Sequence, residues 1–267
     1  MSDNTVALWD VKNKKVLRRI RGHSARVGCL AWNNFILSTG SCDSTIMNHD
    51  VRAKESLLAT LKGHEQEICG LQWDSNTDGT YLASGGNDNV ACVWEYNQLS
   101  ANEPTPKCVL RESRAAVKAL AWCPWQKALL AAGGGTGDMH IRFYDVNSGN
   151  CFNEVNTQSQ VCSLQWNPFD KEILSSHGFS KYQLSIWKYP SLIKTHDLTG
   201  HTSRVLHTVE FFVTLSSRFK FFILLFVIVL VWKKKKKKKK RRCPQMAQWS
   251  VQVLLMKLCG FGKFLKK

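Results

Sequence analysis

An all-β fold made of repeated four-stranded units, part of a β-propeller, is predicted by three features of this 267-residue sequence. The first is a recurring apolar hexamer, VGCLAW, ICGLQW, VKALAW and VCSLQW. These end at Trp32, Trp73, Trp122 and Trp166, which lie 41, 49 and 44 residues apart. The second is a series of strand-like segments, VALWDV, IMNHDV, ACVWEY, IRFYDV and LSIWKY, at nearly the same period. The third lies between the two series, where FILSTGSCDST, YLASGGNDN, LLAAGGGTGD and ILSSHGFSKY each read as an apolar strand followed by small turn-forming residues. Alternation of apolar and small residues over five or six positions is the period of a strand buried on a pleated surface. Self-similarity at 40–50 residues marks a repeat architecture in which neighbouring units cover one another.

The units follow in chain order. Residues 1–17 supply only a last strand, VALWDV and its continuation, of a first unit. Four complete units lie near 18–54, 55–99, 107–150 and 151–196, and a sixth begins at LTGHTSRVLHTV. Gly22-His23, Gly63-His64 and Gly200-His201 open three of them. Gly-His near the start and Trp-Asp near the end is the WD-repeat pattern. In that pattern the histidine bonds an aspartate in the turn before the last strand. His23 with Asp43 and His64 with Asp88 have that spacing, so these residues are structural in this reading, not ligands or bases. The fold class is therefore all-β, a partial WD-repeat propeller of about four complete blades plus fragments of two more, with a non-propeller C-terminal tail. The organisation is 1–209 propeller, 210–242 aberrant apolar and poly-Lys segment, and 243–267 tail.

The charge excludes less than it suggests. The formal net charge is +17, but 16 of the 37 basic residues and no acidic ones lie between Arg218 and Lys267. The preceding 217 residues hold 21 basic against 20 acidic residues, so the body is near neutral and shows no nucleic-acid footprint. Eight of the ten cysteines scatter from Cys29 to Cys162 with no Cys-x-x-Cys pair, and the N-terminal MSDNTVALWD has no apolar stretch. That combination reads as reduced thiols inside a cell, with neither a disulfide framework nor a metal site. No Gly-x-Ser-x-Gly or His-Glu-x-x-His occurs, and Gly133-Gly134-Gly135 lacks the Lys-Ser/Thr of a phosphate loop. A catalytic site and cofactors are not expected.

Several segments carry a more specific likeness. HSARVGCLAWN, GHEQEICGLQW, LASGGNDN, AVKALAWCPWQ, GGGTGDMHIRFYDV, SQVCSLQW, WKYPSL and LTGHTSRVL resemble the propeller of the fizzy family. These are cell-division-cycle activators that recruit substrates to the anaphase-promoting ubiquitin ligase. The resemblance covers roughly residues 5–207, and Cys123-Pro124-Trp125-Gln126 is closer to fizzy itself than to its fizzy-related sister. It implies a non-catalytic degron receptor of the nucleus and cytoplasm. Its partners would be the anaphase-promoting complex, degron-bearing substrates and spindle-checkpoint proteins. By resemblance, Asn87, Asn89, Thr136, Gln160 and Arg204 match the positions that bind the Lys-Glu-Asn (KEN) degron. Carboxamides and a hydroxyl can satisfy peptide amide groups, and a guanidinium can hold a glutamate bidentately; alternatively, Asn87 and Asn89 merely shape a tight turn. A generic WD-repeat scaffold is the other reading of the same chain. Family members also carry ligase-docking elements before the propeller and end in Ile-Arg. This sequence opens inside the propeller and closes on Lys266-Lys267, so those elements and the first blade are expected to lie outside it.

The tail admits three readings. Phe221–Trp232 is 12 apolar residues, short of the ~20 that a membrane helix needs. The eight lysines and two arginines that follow could serve nuclear targeting or polyanion binding. A third reading explains more. Shifting the frame across the codons of residues 243–262 forces Gly from Met246-Ala247 and Glu from Met256-Lys257. It also permits Ser-Pro-Asp-Gly-Ser-Met-Val-Ser-Ser-Gly-Ala-Ala-Asp-Glu-Thr-Leu-Arg-Leu-Trp, a blade of the family's type. The apolar and lysine runs then read as translated thymine-rich and adenine-rich sequence, joined to the next coding segment out of frame.

Overall fold

The computed structural model describes residues 4–74, 79–100 and 104–208, and the backbones of two further strands, 226–231 and 250–255. Two strands open the chain, β1 (Val6–Asp10) and β2 (Lys15–Ile20), paired as a two-stranded antiparallel sheet. Four four-stranded antiparallel sheets follow. They are β3 (Val27–Asn33) to β6 (Leu57–Lys62) through β4 (Ile36–Ser41) and β5 (Thr45–Asp50), then β7 (Ile68–Trp73), β8 (Tyr81–Gly86), β9 (Ala91–Glu95) and β10 (Cys108–Leu110). The third sheet is β11 (Val117–Trp122), β12 (Leu129–Gly134), β13 (His140–Asp145) and β14 (Asn150–Asn156). The fourth is β15 (Val161–Asn167), β16 (Glu172–His177), β17 (Leu184–Lys188) and β18 (Ile193–Leu198). In each sheet strands pair in sequence order, a meander, and the first strands of successive sheets pack together: β3 on β7, β7 on β11, β11 on β15. These are the blades of a propeller arc.

The sheets are offset from the repeats. Each repeat gives its first strand to the preceding sheet, because the outer edge of one blade is closed by the next stretch of chain. The opening unit accordingly holds two strands of its sheet, not the single strand expected for residues 1–17. The sixth unit has no strand among its described residues, 199–208, but Val205 is fully buried in a cluster with Leu174, Leu184 and Ile186 of the fourth blade. The calls on residues 210–267 lie outside the described residues, apart from β19 (Phe226–Val231), which pairs antiparallel with β20 (Ser250–Leu255). No described helix is long and apolar enough to cross a membrane.

Burial is deepest in the second strand of each blade and, from the second blade on, least in the outer strand. β4, β12 and nearly all of β16 are buried throughout, whereas β14 and β18 are largely exposed. Inner strands must converge, and small residues permit it. A Cβ on Gly70 would stand 2.4 Å from the Lys118 carbonyl oxygen, and one on Gly85 2.2 Å from that of Val117. Alanine at either position would push two blades apart. The same register shift also recurs at the start of every inner strand, at Val27/Cys29, Ile68/Gly70, Val117/Ala119 and Val161/Ser163. Such a bulge adds one residue, bends the strand and re-aims the side chains beside it.

The arc leaves one face open. Trp73, Trp122 and Trp166 are 6%, 5% and 3% exposed, and each indole N–H donates into the preceding blade, to Ser38 Oγ, Gln72 O and Ala121 O. Trp32, the same position in the first complete blade, is 52% exposed, as is Leu30. The described sheet before it has only β1 and β2, whose Val6 and Ile20 cover Leu37 and pack against Val27 at the head of the inner strand but leave Leu30 and Trp32 exposed.

Candidate functional site

Antiparallel meanders put two kinds of segment at the same end of every blade: the stretch just before the first strand and the turn between the second and third. Four of the five residues named for ligand contact fall there, and the fifth, Arg204, lies beside Gly178 of the β16–β17 turn at the same end. Asn87 and Asn89 occupy the β8–β9 turn, with Asn89 in the left-handed region at φ 65°. Thr136 is exposed in the β12–β13 turn, Gln160 directly precedes β15, and Arg204 is exposed directly before Val205.

Two pairs are brought close. Asn87 and Asn89 share their turn, and Gln160 and Arg204 share the flank of Gly178. A Cβ there would meet Gln160 Oε1 at 2.8 Å and Arg204 Cδ at 3.5 Å. No hydrogen bond joins Thr136 to the other four among the described residues.

A pair not singled out from sequence sits beside Asn87. Arg26 Nη2 donates to Glu67 Oε1 at 2.5 Å, bridging two blades, and Glu67 Oε2 accepts from Asn87 Nδ2 at 3.5 Å. The Asn87 backbone N–H donates to the Glu67 carbonyl at 2.8 Å, and Gly178 donates to the Gln160 carbonyl at 3.1 Å in the same way. The signal was positional. Arg26, Glu67, Gln160 and Arg204 each stand immediately before the first apolar residue of an inner segment, Val27, Ile68, Val161 and Val205. In the third blade Ala116 precedes Val117, so long polar side chains fill this position in the other four segments and not in that one.

Beneath this rim the blades are tied by buried polar chains. His23 Nδ1 lies 2.9 Å from Asp43 Oδ2 and its Nε2 2.8 Å from Thr39 Oγ1. In the second blade the chain runs Trp94 Nε1 to Ser84 Oγ at 2.9 Å, Ser84 Oγ to His64 Nε2 at 2.9 Å, and His64 Nδ1 to Asp88 Oδ2 at 2.9 Å. Burial works to raise the Asp43 carboxyl pKa. The Thr45 hydroxyl and the His23 ring outweigh it and hold the group at about 2. In the fourth blade Trp187 Nε1 donates to Ser175 Oγ at 2.7 Å, which contacts His177 Nε2 at 2.8 Å; burial pushes His177 down to about 4, so it is neutral at pH 7.

The third blade, which lacks Gly-His, uses another device: Arg142 clamps Asp138 with Nη1–Oδ2 at 2.5 Å and Nη2–Oδ1 at 2.9 Å. Apart from the buried His177 Nδ1, which has no hydrogen-bond partner, these groups are paired and inward-facing, which suits scaffolding. No group of three or more His, Cys, Asp or Glu among the described residues is placed to hold a metal, and the eight described cysteines are free thiols.

Comparison with known proteins agrees with this architecture. The family described as the CDC20/Fizzy WD40 domain matches residues 1–210. The anaphase-promoting complex subunit cdc20 of Dictyostelium discoideum is 54% identical over 204 residues, covering 76% of this chain and 40% of that protein. Cell division cycle 20.5, cofactor of APC complex, from Arabidopsis thaliana is 50% identical over 209 residues, 77% of this chain and 46% of that one. A chain of the solved structure titled "Crystal Structure of Mitotic Checkpoint Complex" superposes with a TM-score of 0.73 at 47% identity, over 78% of this chain and 62% of the other. The chain thus spans less than half the length of these curated relatives. With a repeat, an arc of four-stranded blades and a family match over most of its length, the chain belongs to the CDC20/Fizzy WD40 family.

Proposed function

We propose that this chain is the propeller portion of a substrate-recognition activator of the anaphase-promoting ubiquitin ligase. It is non-catalytic, intracellular in nucleus and cytoplasm, and binds KEN-type degron peptides on the edge that carries Asn87, Asn89, Thr136, Gln160 and Arg204. The observation that carries the reading is the placement of all five on one edge of the arc, with Gln160 and Arg204 against the same glycine. Relatives named as cofactors of that ligase, and a neighbour in a mitotic checkpoint complex, support ligase and checkpoint partners. An exposed guanidinium opposite a peptide glutamate, with carboxamides for the backbone, is a recognition site that needs no cofactor.

Titration of the full chain with a Lys-Glu-Asn peptide is expected to show saturable binding that Arg204→Ala weakens about tenfold, the loss of one charge-assisted contact. Arg204 is exposed, so the variant is expected to unfold at the same urea concentration. Binding that ignores Arg204 would reduce the chain to a generic WD-repeat scaffold.

The tail belongs to the same reading. We infer that residues 210–242 interrupt the propeller's reading frame and that 243–267 are its out-of-frame continuation. Transcript sequencing across the codons of Val209–Cys243 is expected to show the Ser-Pro-Asp-Gly blade in the shifted frame; any other shifted sequence removes the idea.

A further inference from the structure

The most exposed aromatic of the described residues is Phe179, 74% exposed. The other large exposed apolar side chains lie on outer strands, at the uncovered end of the arc or at the opposite edge. Phe179 stands apart: it sits in the turn between β16 and β17, on the edge that carries the proposed peptide site. A phenylalanine left in water forgoes the burial its large apolar surface would gain.

The turn that presents it is held from several sides. The Phe179 carbonyl accepts from Ser159 Oγ at 2.9 Å, and the Tyr182 N–H donates to the Gly178 carbonyl at 3.1 Å. The Tyr182 ring meets Phe179 edge-on with centroids 6.0 Å apart. Gly178, the preceding residue, is the one flanked by Gln160 and Arg204, and it donates its N–H to the Gln160 carbonyl. An exposed aromatic ring on a hydrogen-bonded turn therefore stands next in sequence to Gly178, which Gln160 and Arg204 flank. Aromatic side chains lose little rotamer freedom on contact and are enriched among the residues that dominate peptide and protein interfaces.

We propose that Phe179, backed by Tyr182, is an apolar subsite for a side chain flanking the acidic residue of the bound peptide, and so a specificity-determining residue. The inference rests on the peptide-binding reading above and adds to it a preference for peptides that place an aromatic or large aliphatic residue beside the charged motif. A lysine-rich or uniformly polar flank would leave the ring wet and gain nothing.

The test uses the full chain and a set of Lys-Glu-Asn peptides with alanine flanks, or with phenylalanine at each flanking position in turn. At one flank the phenylalanine peptide is expected to bind about five- to tenfold tighter than the alanine peptide. Phe179→Ala is expected to erase that gain while leaving the alanine-flanked peptide unchanged, and Phe179→Leu to retain part of it. Arg204-dependent binding with no flank preference, or a preference that survives Phe179→Ala, overturns the subsite and leaves the peptide reading intact. Absence of Arg204-dependent binding in every peptide overturns both. Because Phe179 is exposed, unchanged urea midpoints for its variants are expected and confirm that the comparison is between folded chains.

Discussion

Replacing Arg142 with methionine is expected to lower the stability of the fold by about 3–5 kcal/mol, the usual cost of breaking a buried ion pair by removing one partner. The Arg142 side chain is 6% exposed and the Asp138 carboxylate 0%. Without the guanidinium, that carboxylate would lose both strong donors. His140 Nδ1, 3.8 Å from Asp138 Oδ1, is too far to replace them. The half-exposed Glu154, which accepts from Arg142 Nε at 3.0 Å, would return to water at little cost.

The penalty belongs to the orphaned charge and not to the pair, which sets a sharper test. Arg142→Met with Asp138→Asn is expected to recover much of the loss, because a neutral amide costs far less to bury than a carboxylate. Urea unfolding measures both variants. The slope needs comparison along with the midpoint, since an arc of blades can unfold in parts. A single-variant loss below about 1 kcal/mol would mean that water reaches Asp138 in solution.

That clamp also shows where the sequence stopped being readable. The blades, their order and their tryptophans were legible because a propeller repeats its strands at a fixed period, and Trp73, Trp122 and Trp166 recur in equivalent burial. The His–Asp spacing was legible in the first two blades because Gly-His announces it. In the third blade LRESRAAV carries no such signal, and the aspartate is satisfied from Arg142, four residues on in β13, a local pair that the repeat pattern does not announce. The bulge at the head of each inner strand was hidden for a different reason: pairing across strands defines it, not composition. At the candidate site, Gln160 and Arg204 came from the family resemblance of SQVCSLQW and LTGHTSRVL. Glu67 and Arg26 occupy the same place in earlier blades, in segments that carry the same resemblance but were not assigned to the site. Nothing in the sequence indicated that Glu67 would reach Asn87.

The second large effect is a contrast between two tryptophans at the same repeat position. Trp122→Ala is expected to cost about 3–5 kcal/mol, as deletion of a buried indole does in a close-packed core. Trp122 stacks on Tyr81 with centroids 6.0 Å apart and donates to the Gln72 carbonyl at 3.0 Å, so the substitution removes packing and a hydrogen bond together. Trp32→Ala is expected to change the urea midpoint by an amount corresponding to less than about 1 kcal/mol, because 52% of the residue is already in water. Its larger effect would be on association. Covering the exposed half of an indole is worth about 2–3 kcal/mol, and β1, which pairs only with β2 among the described strands, has a second edge that offers backbone groups for pairing. Light scattering during concentration is therefore expected to fall for Trp32→Ala and to rise for Trp122→Ala, which unfolds more readily. If instead Trp32→Ala cost as much stability as Trp122→Ala, the inner face of the first blade would have to be covered in solution by another part of the chain or by a second copy.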